Sequence, residues 1–296
     1  MLRNRKNLSE LLGKENPLIL PTAHDALSAR LIERAGFGAT VLGGFGIVGC
    51  RFGLPDVGLA SFGEMTSAVR DIASATSLPL IVDADEGYGD VKNVFRTVQT
   101  YETMGISAII LEDQVSPKKC GHMSIERRIE PIEEAEAKLV AALEARSSTD
   151  FAIIARTDAR SVEGLDAALE RGRRYVALGV DALFIEAPRS LDELRVIGSS
   201  FNVPLVANAL EAGKTPILSP SEYRELGFSI IVYTTTLLLR MIGTLTRALA
   251  ALRQGELASE GPLPDFQELT NVMGLEEWME VDQKFGAGTV SRERRT

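Results

Sequence analysis

Within residues 108–123, AIILEDQVSPKKCGHM, a short apolar run gives way to the acid pair Glu112-Asp113, then to two lysines, a cysteine, a glycine and a histidine. Acid at a strand end feeding a loop with a thiol and ammonium groups suits chemistry on a metal-bound anionic substrate with a mobile acid. Cys120 sits in a charged loop containing Gly and Pro, where Lys118, Lys119 and His122 lower the thiol pKa and stabilise a thiolate. As a thiol it can protonate a developing carbanion, and as a thiolate it can attack an electrophile. Cys50, among Ile47, Val48 and Phe52, reads as packing.

Asp83 and Asp85 are two apart at the end of another apolar run, so on one strand their side chains point the same way. With Glu112 beside them, these carboxylates repel unless a cation stands between them. Oxygen ligands without a histidine cluster favour Mg2+ or Mn2+ over Zn2+. The alternative is that one aspartate caps a helix and another pairs with Arg156. Arg156 and Lys214 bring positive charge, and an arginine fork takes a carboxylate or phosphonate in two parallel hydrogen bonds. A purely structural Arg156 pairs with Asp158 or Glu186 instead. Gly43-Gly44-Phe45-Gly46 and Gly87-Tyr88-Gly89-Asp90 read as turns that allow close backbone approach to a ligand. Neither has the spacing of a nucleotide-binding loop, so no nucleotide cofactor is expected.

These residues need a scaffold. Short apolar segments recur at 18–23, 39–44, 80–85, 108–113, 151–157, 182–187, 204–210 and 229–235. Continuous apolarity marks strands covered on both faces, as in parallel sheets. Between them lie helical patterns with capping-box starts at Ser61–Glu64 and Ser190–Glu193, and a proline start at Ser219-Pro220. Helix–Gly–apolar–strand stops recur at Gly36, Gly105, Gly179 and Gly227. Alternation of this kind predicts an α/β fold with right-handed crossovers, a (β/α)8 barrel over residues 1–253, with a doubly wound open sheet as the alternative. A helical extension over 254–296 either packs on the barrel or exchanges with a neighbouring subunit. Barrels of this type place the site at the strands' C-terminal ends. Here those ends carry His24-Asp25, Gly43–Gly46, Asp83–Glu86, Glu112-Asp113, Arg156–Asp158, Glu186, Asn208 and Tyr233.

The chain has 296 residues, 45% apolar and 25% charged, with net charge −9. The absence of a long basic block argues against nucleic acid, and the absence of a long apolar run argues against a membrane span. Two cysteines without a secretion leader fit a reducing cytoplasm.

Lys118-Lys119-Cys120-Gly121-His122, with Asp83-Ala84-Asp85, Leu111-Glu112-Asp113-Gln114 and Ala155-Arg156-Thr157-Asp158-Ala159, resembles the isocitrate lyase/phosphoenolpyruvate mutase superfamily. The likeness runs from Pro21-Thr22-Ala23-His24-Asp25 through Asn208 and Gly213-Lys214-Thr215-Pro216 to Tyr233. It implies a TIM barrel whose eighth helix is swapped between subunits of a homo-oligomer, a dimer or tetramer. It implies Mg2+ at Asp83 and Asp85, supported by Asp56 and Glu112. Substrate would lie against Gly43, Gly44, Phe45, Cys120, Gly121, Arg156, Glu186 and Asn208, with Cys120, Lys119, His122 and Arg156 as the catalytic set.

The activity implied is a carbon–carbon lyase of retro-aldol type on a small carboxylate, through a metal-stabilised enolate with Cys120 as the acid. Phosphonomutase chemistry at a P–C bond and decarboxylation or hydrolysis of oxaloacetate are the alternatives. The chain departs from the family pattern at four places. Leu239, followed by Arg240, stands where tricarboxylate-cleaving members carry arginine; Gly43 replaces a frequent serine; Glu86 adds an acid; and Glu126 replaces a common lysine. Together these predict a smaller or less anionic substrate.

Overall fold

The computed structural model describes residues 5–120, 125–211, 213–257 and 261–286. Among them eight parallel strands close into a barrel in sequence order: β1 (Leu18–Ala23), β2 (Thr40–Leu42), β3 (Leu80–Asp83), β4 (Ala108–Glu112), β5 (Ala152–Thr157), β6 (Ala182–Ile185), β7 (Leu205–Asn208) and β8 (Ile230–Tyr233). β8 returns to pair with β1. The helices are α1 (Leu8–Leu12), α2 (Ala26–Arg34), α3 (Gly44–Phe52), α4 (Phe62–Ala75), α5 (Val91–Thr103), α6 (Ile132–Ala145), α7 (Ala159–Val162), α8 (Leu165–Ala177), α9 (Leu191–Ser199), α10 (Pro220–Glu225), α11 (Thr236–Leu252), α12 (Phe266–Val272) and α13 (Leu275–Phe285). The chain is therefore the (β/α)8 barrel that the alternating pattern predicts.

Strand alternation explains the unbroken apolar runs. Ile81, Ile110, Ile154 and Phe184 point into the barrel, where Leu8 and Leu11 of α1 join them. Leu80, Val82, Ile109 and Ile153 point outward against the helices. Both faces of each strand are buried, so both are largely apolar, with Thr22 and Thr40 as buried polar exceptions. Polar groups are left for the strand ends.

Helix boundaries follow the capping chemistry. Ser61 and Ser219 form reciprocal boxes with Glu64 and Glu222. Ser190 accepts from the Glu193 backbone N–H, but the Glu193 carboxylate binds Arg160 and the Arg189 N–H instead of closing the box. The four stop glycines all adopt left-handed backbone, with φ from 74° to 97°. At Gly227 a Cβ would also fall 2.7 Å from the Gly198 carbonyl oxygen.

Two compact units divide the chain at Met241/Ile242, the first holding the barrel. In the second, α12 and α13 leave large apolar side chains exposed, Trp278 at 68% among them. No helix among the described residues is long and apolar enough to cross a membrane.

Candidate active site

A cavity of about 220 Å³ opens at the C-terminal rim of the barrel. Gly43, Gly44, Phe45, Asp56, Asp83, Glu112, Lys119, Cys120, Arg156, Glu186 and Asn208, all expected at the site, line it. Asp85 lies behind this wall and joins it through Lys118. Gly121 and His122 fall outside the described residues.

The glycine cluster after β2 is more than a turn. It opens α3, with Gly43 as the extended N-cap and Gly44 as the first helical residue. The first-turn N–H groups of a helix have no intrahelical partner and favour negative charge. A Cβ at Gly44 would stand 3.2 Å from Asp56 Oδ1 and 3.4 Å from Lys118 Nζ, so any larger residue would press on both side chains.

Asp83 ends β3, and the chain then leaves the strand. Asp85 has φ of +50°, a left-handed conformation uncommon outside glycine. The strand-pleat reason for the two side chains facing one way therefore does not hold. A turn sets their relation instead: the Asp85 N–H donates to Asp83 Oδ1 at 3.3 Å, and the Asp85 carbonyl accepts from the Glu112 N–H.

Lys118 is the residue that sequence reasoning undervalued. Its ammonium is 5% exposed and lies 2.6 Å from Asp85 Oδ1 and 2.7 Å from Asp56 Oδ2. Burial alone would strip its proton, but Asp85 and Asp56, with Glu112 and Asp83 behind them, hold it charged well above the ordinary lysine value. Lys119 points elsewhere: its N–H donates to Gln114 Oε1 and its ammonium to the Glu126 carbonyl, bracing the loop. The Cys120 N–H donates to the Asp56 carbonyl at 3.1 Å. No spacing rule separates two adjacent lysines; burial does. Gln114, 1% exposed and on the cavity wall, stood in the sequence only as the end of a motif, with no role assigned.

Arg156 stands opposite Glu112 in the β4–β5 register. Its Nε and Nη2 donate to Asp158 at 2.9 and 3.2 Å, and Glu112 Oε2 is 3.3 Å from Nε. Asp83 and Glu186 carboxylates follow at 3.8 and 3.9 Å, and the Phe184 ring backs the guanidinium at 5.3 Å. Asn208 donates weakly to Glu186 at 3.4 Å, while Thr234 holds its carbonyl oxygen at 2.6 Å.

Burial pushes the Asp83 and Glu112 carboxyls up, and brings Asp85 to about 7. Glu112 Oε1 is buried without a hydrogen-bond partner. No three His, Cys, Asp or Glu side chains among the described residues already converge as a metal group, and Lys118 carries the positive charge between Asp56 and Asp85. The donors are nonetheless all carboxylate oxygens, with one left orphaned in a desolvated wall. That chemistry fits a hard divalent cation.

Several strand-end residues do not contribute as expected. Asp25 caps α2, and with His24 and Tyr233 it lines a different opening, an apolar groove of about 680 Å³ along α2. Lys214 is exposed and absent from the cavity wall. Glu86 is buried but off the wall, its carbonyl accepting from Lys138. The Gly87–Asp90 stretch is only a turn, closed by Asp90 capping α5.

Residues 8–253 match the profile of the family described as phosphoenolpyruvate phosphomutase. The chain is 39% identical over 283 residues to 2,3-dimethylmalate lyase of Eubacterium barkeri, covering 95% of this chain and 98% of that protein. Among solved structures it is similar to oxaloacetate acetylhydrolase in complex with the inhibitor 3,3-difluorooxalacetate (TM-score 0.89, 31% identity, 95% and 96% of the two chains). It is also similar to phosphonopyruvate hydrolase in complex with oxalate and Mg2+ (TM-score 0.83, 31% identity, 94% and 97%).

Proposed function

The chain belongs to the phosphoenolpyruvate phosphomutase family, within the isocitrate lyase/PEP mutase superfamily of enzymes, and on that premise we propose that it is a Mg2+-dependent carbon–carbon lyase. Its substrate in this reading is a small substituted malate-like 2-hydroxy acid. The observation that carries it is the meeting of Cys120, Arg156 and the acid cluster on one cavity wall, with Leu210 and Leu239 opposite in character.

Asp83, Asp85, Glu112 and Asp56 would hold the ion, with Mn2+ as a substitute. A bound divalent cation supplies Lewis acidity to the substrate oxygens. Arg156 orients one carboxylate, and the first-turn N–H groups of α3 face the other. Asn208 and Glu186 fix the 2-hydroxy end. The hydroxyl gives up its proton to a carboxylate of the cavity, the C2–C3 bond breaks as the C2–O bond becomes a carbonyl, and the electron pair left on C3 takes a proton from the Cys120 thiol. Lys118 keeps the loop strand that carries Cys120 docked on the acid cluster.

The far end of the cavity supports a small, uncharged substituent. Leu239 lines it, and the neighbouring Arg240 is engaged by Glu211 at 2.9 Å. Beyond Lys118, Lys119 and Arg156, no cation among the described residues lines the cavity to pair a third carboxylate. The likeness to oxaloacetate acetylhydrolase favours a second reading, hydrolytic cleavage of oxaloacetate at the same site.

The enzyme in this proposal is a cytoplasmic homo-oligomer, a dimer or tetramer that exchanges α11 and the extension between copies. The groove along α2 and the exposed apolar faces of α11 and α13 support it.

The test is incubation with Mg2+ and a panel of substituted malates, oxaloacetate and phosphonopyruvate, following pyruvate and oxalate. Pyruvate from a malate, lost on chelation, is the expected result. Oxalate from oxaloacetate alone selects hydrolysis, and product from the phosphonate alone overturns both readings.

A further inference from the structure

Arg156 faces a difficulty that its own geometry exposes. A guanidinium already matched in a fork-to-fork pair with a carboxylate has little attraction left for a second anion. Asp158 offers such a pair, fully buried and two residues along the same strand end. Left to itself, Asp158 would take up Arg156 and leave the cavity without a free cation on that wall.

A second guanidinium changes this. Arg127, with its side chain only 7% exposed, donates its Nη1 to Asp158 Oδ1, the oxygen that Arg156 Nη2 reaches at the longer distance of 3.2 Å. The segment carrying Arg127 is fixed independently. The Arg128 carbonyl accepts from the Val115 N–H, Ile129 bridges to Gln114, and the Glu130 N–H donates to the Asp113 carbonyl. Asp158 is braced from behind as well: its N–H donates to Asp113 Oδ1, and Asp113 Oδ2 accepts from Tyr175 and Arg171. One carboxylate is thus shared between two arginines and cannot swing wholly to either.

We propose that Arg127 is a positioning residue that neutralises Asp158, so that the charge of Arg156 is directed at the carboxylate of a bound substrate. This rests on the reading of Arg156 as the carboxylate holder. Arg127 itself does not line the cavity, so its effect passes through Asp158.

The test uses the full chain with Mg2+ and oxalate, a dicarboxylate probe, by calorimetry, together with a crystal structure of the variant. Arg127→Ala is expected to weaken oxalate binding about tenfold, the scale of one charge-assisted hydrogen bond. Arg127→Lys restores it to within about threefold, because a point charge still satisfies Asp158. Arg128→Ala, which removes the same charge from an exposed neighbour, leaves affinity unchanged. In the Arg127→Ala crystal structure, Arg156 Nη2 closes on Asp158 Oδ1 from 3.2 Å to a short bidentate contact of about 2.8 Å.

Equal losses in Arg127→Ala and Arg128→Ala, or no loss in either, overturn the proposal. So does an Arg156 that keeps its wild-type distances in the variant. That crystallographic arm decides the matter even if wild-type protein fails to bind oxalate, a failure that would count against the proposed function alone. Should Arg127→Ala not fold, Arg127→Gln, which keeps a donor without the charge, is held to the same thresholds.

Discussion

Two openings of one barrel, a cavity at its mouth and a groove along α2, are built on opposite principles. The cavity at the barrel mouth is walled by buried charges that hold one another, with Lys118 between Asp85 and Asp56 and Arg156 among Asp158, Glu112, Asp83 and Glu186. The groove along α2 is walled by Leu27, Leu31, Phe37, Leu237 and Met241, with exposed leucines at its edge. Buried charge is costly unless matched, so a wall made of it marks a place where a charged ligand completes the match. Exposed apolar surface is costly in the other direction and marks a place for a protein partner. The strand ends look alike in sequence. What surrounds them separates a charged cavity from an apolar groove.

The sharpest way to break this contrast is at the acid cluster. Asp85→Ala is expected to abolish Mg2+ binding by calorimetry and turnover with it, while Lys118 loses one of its two partners. Wild-type metal affinity in that variant would remove the basis for treating the two openings differently. Cys120→Ser comes next: kcat falls about 10²- to 10⁴-fold, the range for loss of a positioned acid, with Mg2+ affinity unchanged. Full activity in Cys120→Ser excludes the thiol as the proton donor.

At the groove the effect is on assembly. Leu27→Asp with Leu31→Asp is expected to shift the protein toward monomer in sedimentation velocity, each leucine having contributed about 1.5–3 kcal/mol of burial in the oligomer. An unchanged sedimentation coefficient means the groove is not an interface.

The smallest effect belongs to neither opening. Arg160 holds the Glu193 carboxyl below its ordinary range. A depressed carboxylate pKa stabilises the fold above the unfolded-state value, and that contribution is lost as pH falls through the folded value. Glu193→Gln should therefore cost about 1 kcal/mol in urea melts at pH 7 and nothing near pH 2. A cost that persists in acid would trace to packing instead.

Sequence periodicity and stop signals were enough for the barrel, because a strand buried on both faces has little freedom to be anything but apolar. Ile81, Ile110 and Ile154 facing inward while Val82, Ile109 and Ile153 face outward is that rule at work. The residues that line the cavity were legible for a similar reason. Asp83, Glu112, Arg156 and Asn208 are polar groups at the mouths of apolar runs, which folding stability does not require.

Side-chain destination was not legible. Lys118 and Lys119 are identical in type and adjacent, yet one is buried against carboxylates and the other braces a carbonyl. Asp85 sits behind the cavity wall, against Lys118, on a left-handed turn that two-residue spacing does not encode. His24, Asp25 and Tyr233 read like site residues and belong to the groove. Arg127 gave no signal, because its partner is 31 residues away. Local pattern is written in the chain by hydrogen-bond geometry and the period of each element. The pairing of charges across the barrel mouth depends on which distant segments the closed sheet brings together, and only the tertiary structure decided it.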